Sequence, residues 1–372
     1  MLNNIRLQQF KCYEQKVDAP LAMFNILYGK NGRGKSSLVQ SILLLSQTLK
    51  EQGSVDYLHL NGIYARLGSF TDVVTRSQQN YSSFSIDIEA ENEDMRMIFS
   101  QDTHKPTLAK LSDIKNGNNP LMSKMGEKDS VSHNDGNNYG VPTQSALQSF
   151  AYLKRVRFIS ANRPGPKNSE VRHDQNDEYL LSPNADNLFN VLASLSEETQ
   201  NEIEQGLSYI LSGATLDIRP KTDVIEVFMD SIDGTQGFKP VNVGYGYSYV
   251  LPIILQIVTA PANTLIIIEN PEAHLYPGAQ SRLVEFIISY AQQKKLQLIL
   301  ETHSDHIING LRISVKNSMI NKNDVSILFF DRNGRECICP QIRQIKVDKN
   351  GTLSDNPEDF MDEWTQQMLT LL

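Results

Sequence analysis

Residues Gly29–Ser36 read G-K-N-G-R-G-K-S and fit the pattern G-x-x-x-x-G-K-[ST]. The apolar run Phe24–Tyr28 leads into them. Helical spacing follows from Gly34 to about Leu49, with Leu38, Ile42, Leu43 and Leu45 on the side expected to be buried. Strand, glycine loop and helix in that order restrict the chain to folds that hold a phosphate group at a strand's carboxyl end. The glycines let the backbone N–H groups face an anion, and the helix N-terminus adds partial positive charge. Lys35 is expected to place a point charge on the β- and γ-phosphates, and the Ser36 hydroxyl to ligate Mg2+. Asn31, Gly32, Arg33, Gly34 and Ser37 complete the predicted nucleotide-binding stretch.

The remaining rhythm splits into three. Ile5–Phe10 and Ser83–Ser100 alternate apolar and polar residues and predict strands, the second as part of a meander. Composition changes near residue 101. The stretch 113–140 is rich in Asn, Gly, Ser, Asp and Lys and predicts a solvated loop or disordered insertion, and the polar stretch 164–177 after the strand Arg155–Ser160 predicts a second flexible loop. Leu188–Leu211 predicts a helical pair and Thr215–Phe228 predicts strands. Beyond about residue 240, the apolar runs Leu265–Ile268, Leu296–Leu300 and Val325–Phe330 alternate with helical segments at Ala279–Gln293 and Asp305–Lys316. That alternation means βαβ units and a largely parallel sheet, which the strand Phe24–Tyr28 should join. The expected layout is an α/β core split in sequence: 1–100 and 241–345 forming its halves, 101–240 an inserted helical and β lobe, and 346–372 a tail.

A nucleotide-hydrolysing loop of this kind needs an acidic residue at the end of a neighbouring strand. Leu265–Ile268 followed by Glu269 supplies one, at the strand end where open α/β sheets bind ligands. Asn270-Pro271-Glu272 follows directly. The strand ending at Leu300 runs into Glu301-Thr302-His303-Ser304, which makes His303 a candidate for contact with the γ-phosphate or the attacking water. Glu269 is read as the metal-side carboxylate together with Ser36. Glu269 is also the first candidate for supporting hydrolysis and Glu272 the second, because the amide of Asn270 takes up no proton near neutral pH. Asn242–Ser248, ahead of the apolar Val250–Val258, reads as a glycine-rich loop opening a helix, and such an end binds anions.

Composition excludes other classes. A net charge of -8 argues against a generally basic, nucleic-acid-coating surface, although it leaves room for a local basic patch. Three cysteines, Cys12, Cys337 and Cys339, are too few for a disulfide scaffold and point to a reducing compartment. Zinc at Cys337 and Cys339 is disfavoured for want of further ligands. The N-terminal stretch has no apolar signal core. The longest apolar run, Tyr249–Ala262, is interrupted by Pro252, Gln256 and Pro261 and is too short for a bilayer, so a cytoplasmic, membrane-free protein is expected.

Together these motifs resemble ABC-type AAA ATPases of the RecF, SMC and OLD group, and within it a prokaryotic family with an AAA_15/AAA_21-like core and a C-terminal DUF3696 segment. Phe10-Lys11-Cys12-Tyr13 resembles the family's opening turn, which implies that Lys11 lies near the nucleotide base. Leu67–Phe70 resembles its LGSF element, and Phe158–Pro166 its YISAxRxGP segment. Gly244–Pro252 is similar to its signature motif, Glu269–Pro277 and Glu301–Ile307 to its Walker B, D-loop and switch-histidine segments, and Val347–Asp362 to its closing segment.

The resemblance implies an ABC/RecF-like P-loop NTPase head that binds ATP and Mg2+. It also implies a homo-oligomer, at least a head-to-tail dimer, in which Gly244, Gly246 and Ser248 close on the partner's ATP. Asn270 stands where such proteins carry a catalytic Glu, which predicts slow hydrolysis. About 70 residues follow His303, too few for the TOPRIM domain of OLD-type nucleases, and the histidines form no HNH arrangement. The expected function is therefore a nucleotide-dependent sensor or scaffold in anti-phage defence, controlling a separately encoded effector, expected to be a nuclease. A RecF-like repair ATPase that binds DNA directly is the alternative.

Overall fold

The computed structural model describes residues 1–77, 79–120, 147–173, 180–230, 237–332, 340–358, 360–361 and 363–371. Its strands are β1 (Leu2–Gln8), β2 (Val17–Pro20), β3 (Phe24–Gly29), β4 (Tyr57–His59), β5 (Ser83–Ala90), β6 (Glu93–Gln101), β7 (Leu108–Asn116), β8 (Asn119–Pro120), β9 (Arg157–Ile159), β10 (Ser169–Val171), β11 (Thr215–Pro220), β12 (Val224–Asp230), β13 (Leu265–Glu269), β14 (Gln297–Glu301), β15 (Val325–Arg332) and β16 (Pro340–Ile345). Its helices are α1 (Lys35–Gln52), α2 (Phe70–Val73), α3 (Gln148–Leu153), α4 (Leu188–Ser194), α5 (Glu197–Leu211), α6 (Tyr245–Val258), α7 (Pro277–Lys294), α8 (Asp305–Lys316) and α9 (Glu363–Leu371). Among the described residues, no helix is long and apolar enough to cross a membrane. The chain divides into two compact units. The first comprises 1–21, 31–156 and 331–342; the second comprises 22–30, 157–330 and 343–372.

The first unit is built on an antiparallel sheet in the order β2-β1-β5-β6-β7-β4, with β8 paired to β7. Alternation explains most of it: Ile86 and Ile88 of β5, Met95, Met97 and Phe99 of β6, and Ala109 and Leu111 of β7 are buried, and a register shift opposite Ile98/Phe99 lets Ile114 be buried as well. Phe84 anchors the core, with ring centroids 5.4 Å from Phe10, 5.6 Å from Phe70 and 5.6 Å from Phe99. Helix α1 belongs to this unit. Its buried Gln47 donates to the His59 carbonyl at 2.8 Å and accepts from Ala65 N–H at 3.0 Å, and Ser46 donates to the Leu153 carbonyl at 2.8 Å.

The second unit holds the parallel sheet, in the order β16-β15-β3-β14-β13-β9. Strand β3 pairs in parallel with β14 on one side and β15 on the other, and β13 pairs in parallel with β14 and β9. Helix α8 carries the chain from β14 across to β15, so β3 lies between two strands that are consecutive in the chain. A second, antiparallel sheet runs β10-β12-β11. The core gathers Ile26, Ile266, Ile268, Leu298 and Leu300 from the parallel strands with Leu207, Ile254 and Leu283 from α5, α6 and α7.

Three expectations change. Residues 113–140 were expected to form a solvated loop, but β7 runs through Asn116 because Leu111 and Ile114 have a core to face. The chain then reverses at Gly117 (φ 57°) into β8. Residues 121–146 lie outside the described part. The stretch 164–177 contains β10, paired with β12, and its residues 174–177 lie outside the described part. The expected 101–240 lobe is not one body: it is divided at Val156/Arg157, since β7 completes the first sheet while β9 joins the parallel one.

Asn25 is a polar residue near the start of β3 and is fully buried. Its side chain donates to the Ala22 and Leu298 carbonyls, both at 2.8 Å, and accepts from Ala22 N–H at 2.7 Å. It therefore pins the start of β3 to β14. Asn25→Ala is expected to lower stability by about 2–4 kcal/mol, from lost bonds and stranded backbone groups. The midpoint of urea unfolding checks this, and a loss under about 1 kcal/mol contradicts it.

Candidate nucleotide site

The chain passes from the second unit to the first inside the glycine loop, between Lys30 and Asn31.

In the first unit the loop delivers the N-terminus of α1. The N-cap is Gly34 (φ 100°), so no side chain caps the first turn, and no acidic residue lies in it. Any Cβ at Gly34 would sit 2.4 Å from the Tyr13 hydroxyl. That hydroxyl donates to the Gly34 carbonyl at 2.9 Å. Phe10 and Tyr13 close a small turn on each other through two backbone hydrogen bonds. Within that turn Lys11 (φ 53°) donates to Gln40 on α1, and burial lowers its pKa against the opposing influence of Cys12. Lys35 is 3% exposed, whereas Asn31, Gly32 and Ser36 are exposed and Arg33 and Ser37 half-buried. An uncapped helix end, a backbone with no room for a Cβ and a buried ammonium fit a polyphosphate.

In the second unit the carboxyl ends of β3, β14 and β13 lie side by side, with Leu27 level with Glu301 and Glu301 level with Glu269. Gly29 ends β3 at φ 137°, where a Cβ would lie 2.4 Å from the Phe330 carbonyl oxygen. The ladder continues past the strands: Thr302 N–H donates to Leu27 and Asn270 N–H to Glu301, at 3.1 and 2.8 Å.

Glu269 is half-buried, and its carboxylate accepts from Ala161 N–H at 2.9 Å. Burial pushes its pKa above the ordinary carboxylate range, while the Ala161 bond and the Arg163 charge pull the other way. Asn270 follows in the left-handed region at φ 45°. Glu272 uses both oxygens within the neighbouring segment: it accepts from Thr302 Oγ1 at 2.8 Å and from His303 N–H at 3.0 Å. His303 is exposed, one residue before Ser304, which caps α8. Tyr28 ties β3 to the same helix by donating to Asp305 at 2.7 Å.

The glycine-rich stretch Asn242–Ser248 does open a helix, α6, with Gly244 as N-cap and open space around it. A Cβ at Gly246 would lie 2.8 Å from the His274 carbonyl oxygen, so the first turn of α6 packs directly on that backbone. Ser248 is half-buried. The His274 ring lies 4.4 Å from Tyr249 and 5.3 Å from Tyr245.

Sequence reasoning gave no role to Arg163, Ala161, Tyr249, His274 or Tyr13. Their contacts join segments far apart in sequence and follow no local period; the one signal was that all five sit inside the family-like segments. Cys337 and Cys339 lie outside the described residues. Among the described residues, no three His, Cys, Asp or Glu side chains group as a metal cage. A Mg2+ held by one hydroxyl, one carboxylate and substrate phosphates requires none.

The fold is that of an ABC-type P-loop NTPase head of the RecF/SMC kind. It aligns with an SMC head solved bound to the C-winged helix domain of ScpA, at 12% identity and TM-score 0.56, covering 94% of this chain and 98% of that one. An SMC head with an extended coiled coil, bound to a C-terminal domain of ScpA derived from Pyrococcus furiosus, aligns at 10% identity and TM-score 0.52, covering 100% and 98%. The chain belongs to the family described as "AAA domain, putative AbiEii toxin, Type IV TA system", whose model matches residues 121–309; residues 320–371 match the DUF3696 family of unknown function. It is also 35% identical over 79 residues to the DNA replication and repair protein RecF of Geotalea daltonii, a match that spans 22% of that protein's length.

The raised Glu269 pKa has a consequence for stability. Because the folded pKa lies above the unfolded one, the ionised carboxylate costs stability at all pH values above the folded pKa. That cost disappears as pH falls below the unfolded carboxylate value of about 4.3. Without nucleotide, Glu269→Gln should therefore raise the thermal midpoint at pH 7 and lose the gain at acid pH. A midpoint unchanged or lowered at pH 7 contradicts the burial argument.

Proposed function

We propose that the protein binds and slowly hydrolyses ATP with Mg2+, and that its nucleotide state controls a separate effector. The observation that carries this reading is the edge of the parallel sheet, where adjacent strands present the Gly29 turn, Glu269 and the Thr302–His303 segment. Lys35 neutralises the β- and γ-phosphates and the first N–H groups of α1 donate to them. Ser36 and Glu269 are the chain's ligands for the metal. Mg2+, when bound, supplies charge that offsets the negative charge developing on the transferred phosphoryl group. Lys11, held beside α1, contacts the base side of the nucleotide.

The geometry supports a division of labour between the two carboxylates. Glu272 grips Thr302 and the His303 N–H, so it positions the segment from which His303 meets the γ-phosphate or the water. Glu269 remains for the metal. Asn270 supplies no base, which makes hydrolysis slow and the ATP-bound state long-lived, as suits a switch. Gly244, Gly246 and Ser248 open α6 with an uncapped turn, and the exposed Val241 and Tyr245 lie beside it. This fits a face that closes on the ATP of a second copy.

The family's description includes a putative toxin of a toxin–antitoxin system; our reading places the protein in anti-phage defence, with a separately encoded nuclease as the controlled effector. The similarity to RecF favours a second reading, direct DNA binding in repair. The two readings separate by gel shift: ATP-dependent retention of plain duplex DNA favours the second, and none favours the first.

Lys35→Ala should abolish ATP binding in calorimetry; wild-type affinity in that variant contradicts the loop's role. Wild-type phosphate release should stay below about 10 per second, the enzyme median. It should fall in Glu269→Gln and rise in Asn270→Glu. A silent Glu269→Gln beside a dead Glu272→Gln would reverse the two carboxylates. Ser248→Arg should keep ATP affinity yet lose ATP-induced association in sedimentation, and retained association with unchanged turnover contradicts the dimer.

A further inference from the structure

Arg163 is 3% exposed and yet carries a full charge. Its Nη1 donates to the Glu269 carbonyl at 3.0 Å and its Nη2 to the Asn270 carbonyl at 2.6 Å. The guanidinium thus grips two successive carbonyls where β13 ends and Asn270 turns left-handed. The same short segment also touches the Glu269 carboxylate through Ala161 N–H. On its other side the guanidinium lies 5.4 Å from the Tyr249 ring centroid, and the Tyr249 hydroxyl donates to the Arg163 carbonyl at 3.2 Å. Tyr249 follows Ser248 directly in the first turns of α6.

Stability alone does not account for this arrangement. Its hydrogen bonds go to neutral carbonyls, and its Nε is buried with no hydrogen-bond partner. Burial lowers its pKa to about 10, with Tyr249, Glu272 and Glu269 opposing. A buried cation in that position costs desolvation that an apolar side chain of similar volume would avoid. What the guanidinium provides, and an apolar chain does not, is a rigid planar fork bound to one element and a cation held over an aromatic ring of another.

We infer that Arg163 is a positioning residue that couples the end of β13 to the first turn of α6, so that metal and nucleotide held at Glu269 set the presentation of the Gly244–Ser248 turn. This rests on the reading of Glu269 as the metal-side carboxylate. A shift of the Glu269–Asn270 backbone moves the two acceptors of the fork, and Tyr249 is tied to Arg163 both through its ring and through its hydroxyl. The His274 ring, packed on both Tyr249 and Tyr245, extends the contact to the outermost residue of the turn.

The test is hydrogen exchange of the full chain, read by mass spectrometry over residues 245–252, with and without ATP and Mg2+, alongside ATP affinity by calorimetry. In the wild type, exchange in that segment should slow when Mg2+ and ATP bind. Arg163→Lys keeps a cation but loses the fork, and should bind ATP within about threefold of wild type while losing at least about fivefold of the exchange response, the lower end of usual coupling between sites. Tyr249→Leu leaves the carbonyl grip intact and should lose the response equally; it decides the matter if Arg163→Lys fails to fold. A merely structural arginine would change thermal stability and affinity without removing the response selectively. The inference is overturned if the wild type binds ATP with no change over 245–252, or if either folded variant responds as wild type does. A wild type that binds no ATP overturns the nucleotide reading itself.

Discussion

The parallel pairing of β3 between β14 and β15 is the constraint on which the second unit depends. Strand β3 sits between β14 and β15, two strands that follow each other in the chain, and at its carboxyl end the chain leaves the sheet as a loop, where open parallel sheets bind ligands. Gly29 makes the turn possible at a place where the Phe330 carbonyl leaves no room for a Cβ. The register that holds β3 also sets Glu301 beside Leu27 and Glu269 beside Glu301. The chemistry-bearing segments are thus brought level by backbone hydrogen bonds, before any side chain acts. Asn25 secures the other end of the same strand.

Polar groups at that edge are held by one another rather than by solvent. Glu272 spends its carboxylate on Thr302 and His303, Ala161 holds Glu269, and Arg163 holds the backbone that follows. Every one of these contacts fixes the position of a strand end. The accompanying cost is visible at Glu269, whose burial works against its charge. A carboxylate buried against its own charge is a poor choice for stability alone, and such perturbed groups cluster at functional sites.

Local features were legible in the sequence. The glycine loop, the strand before it, the helix after it, Glu269 at a strand end and the helix opened by Gly244 all follow from spacing and from residue chemistry. The alternation of apolar runs with helices also placed β13, β14 and β15 with α7 and α8 between them. What failed depended on partners distant in sequence. The Asn-rich hairpin at 115–120 looked like loop because its composition masked β7, where a register shift breaks the alternation between Leu111 and Ile114. The division at Val156 was hidden because nothing in the chain before Arg157 announces which sheet will receive it. The grip of Arg163 on residues more than a hundred positions away has no periodic signature at all.

That the chain holds metal and ATP jointly can be tested most directly with Mn2+ in place of Mg2+, followed by electron paramagnetic resonance. With ATP present, one Mn2+ per chain is predicted to become immobilised with resolved coupling to nucleotide phosphorus. Without ATP, Mn2+ should stay free. Mn2+ that remains free with ATP present, or that binds equally well without it, contradicts a metal site completed by the nucleotide.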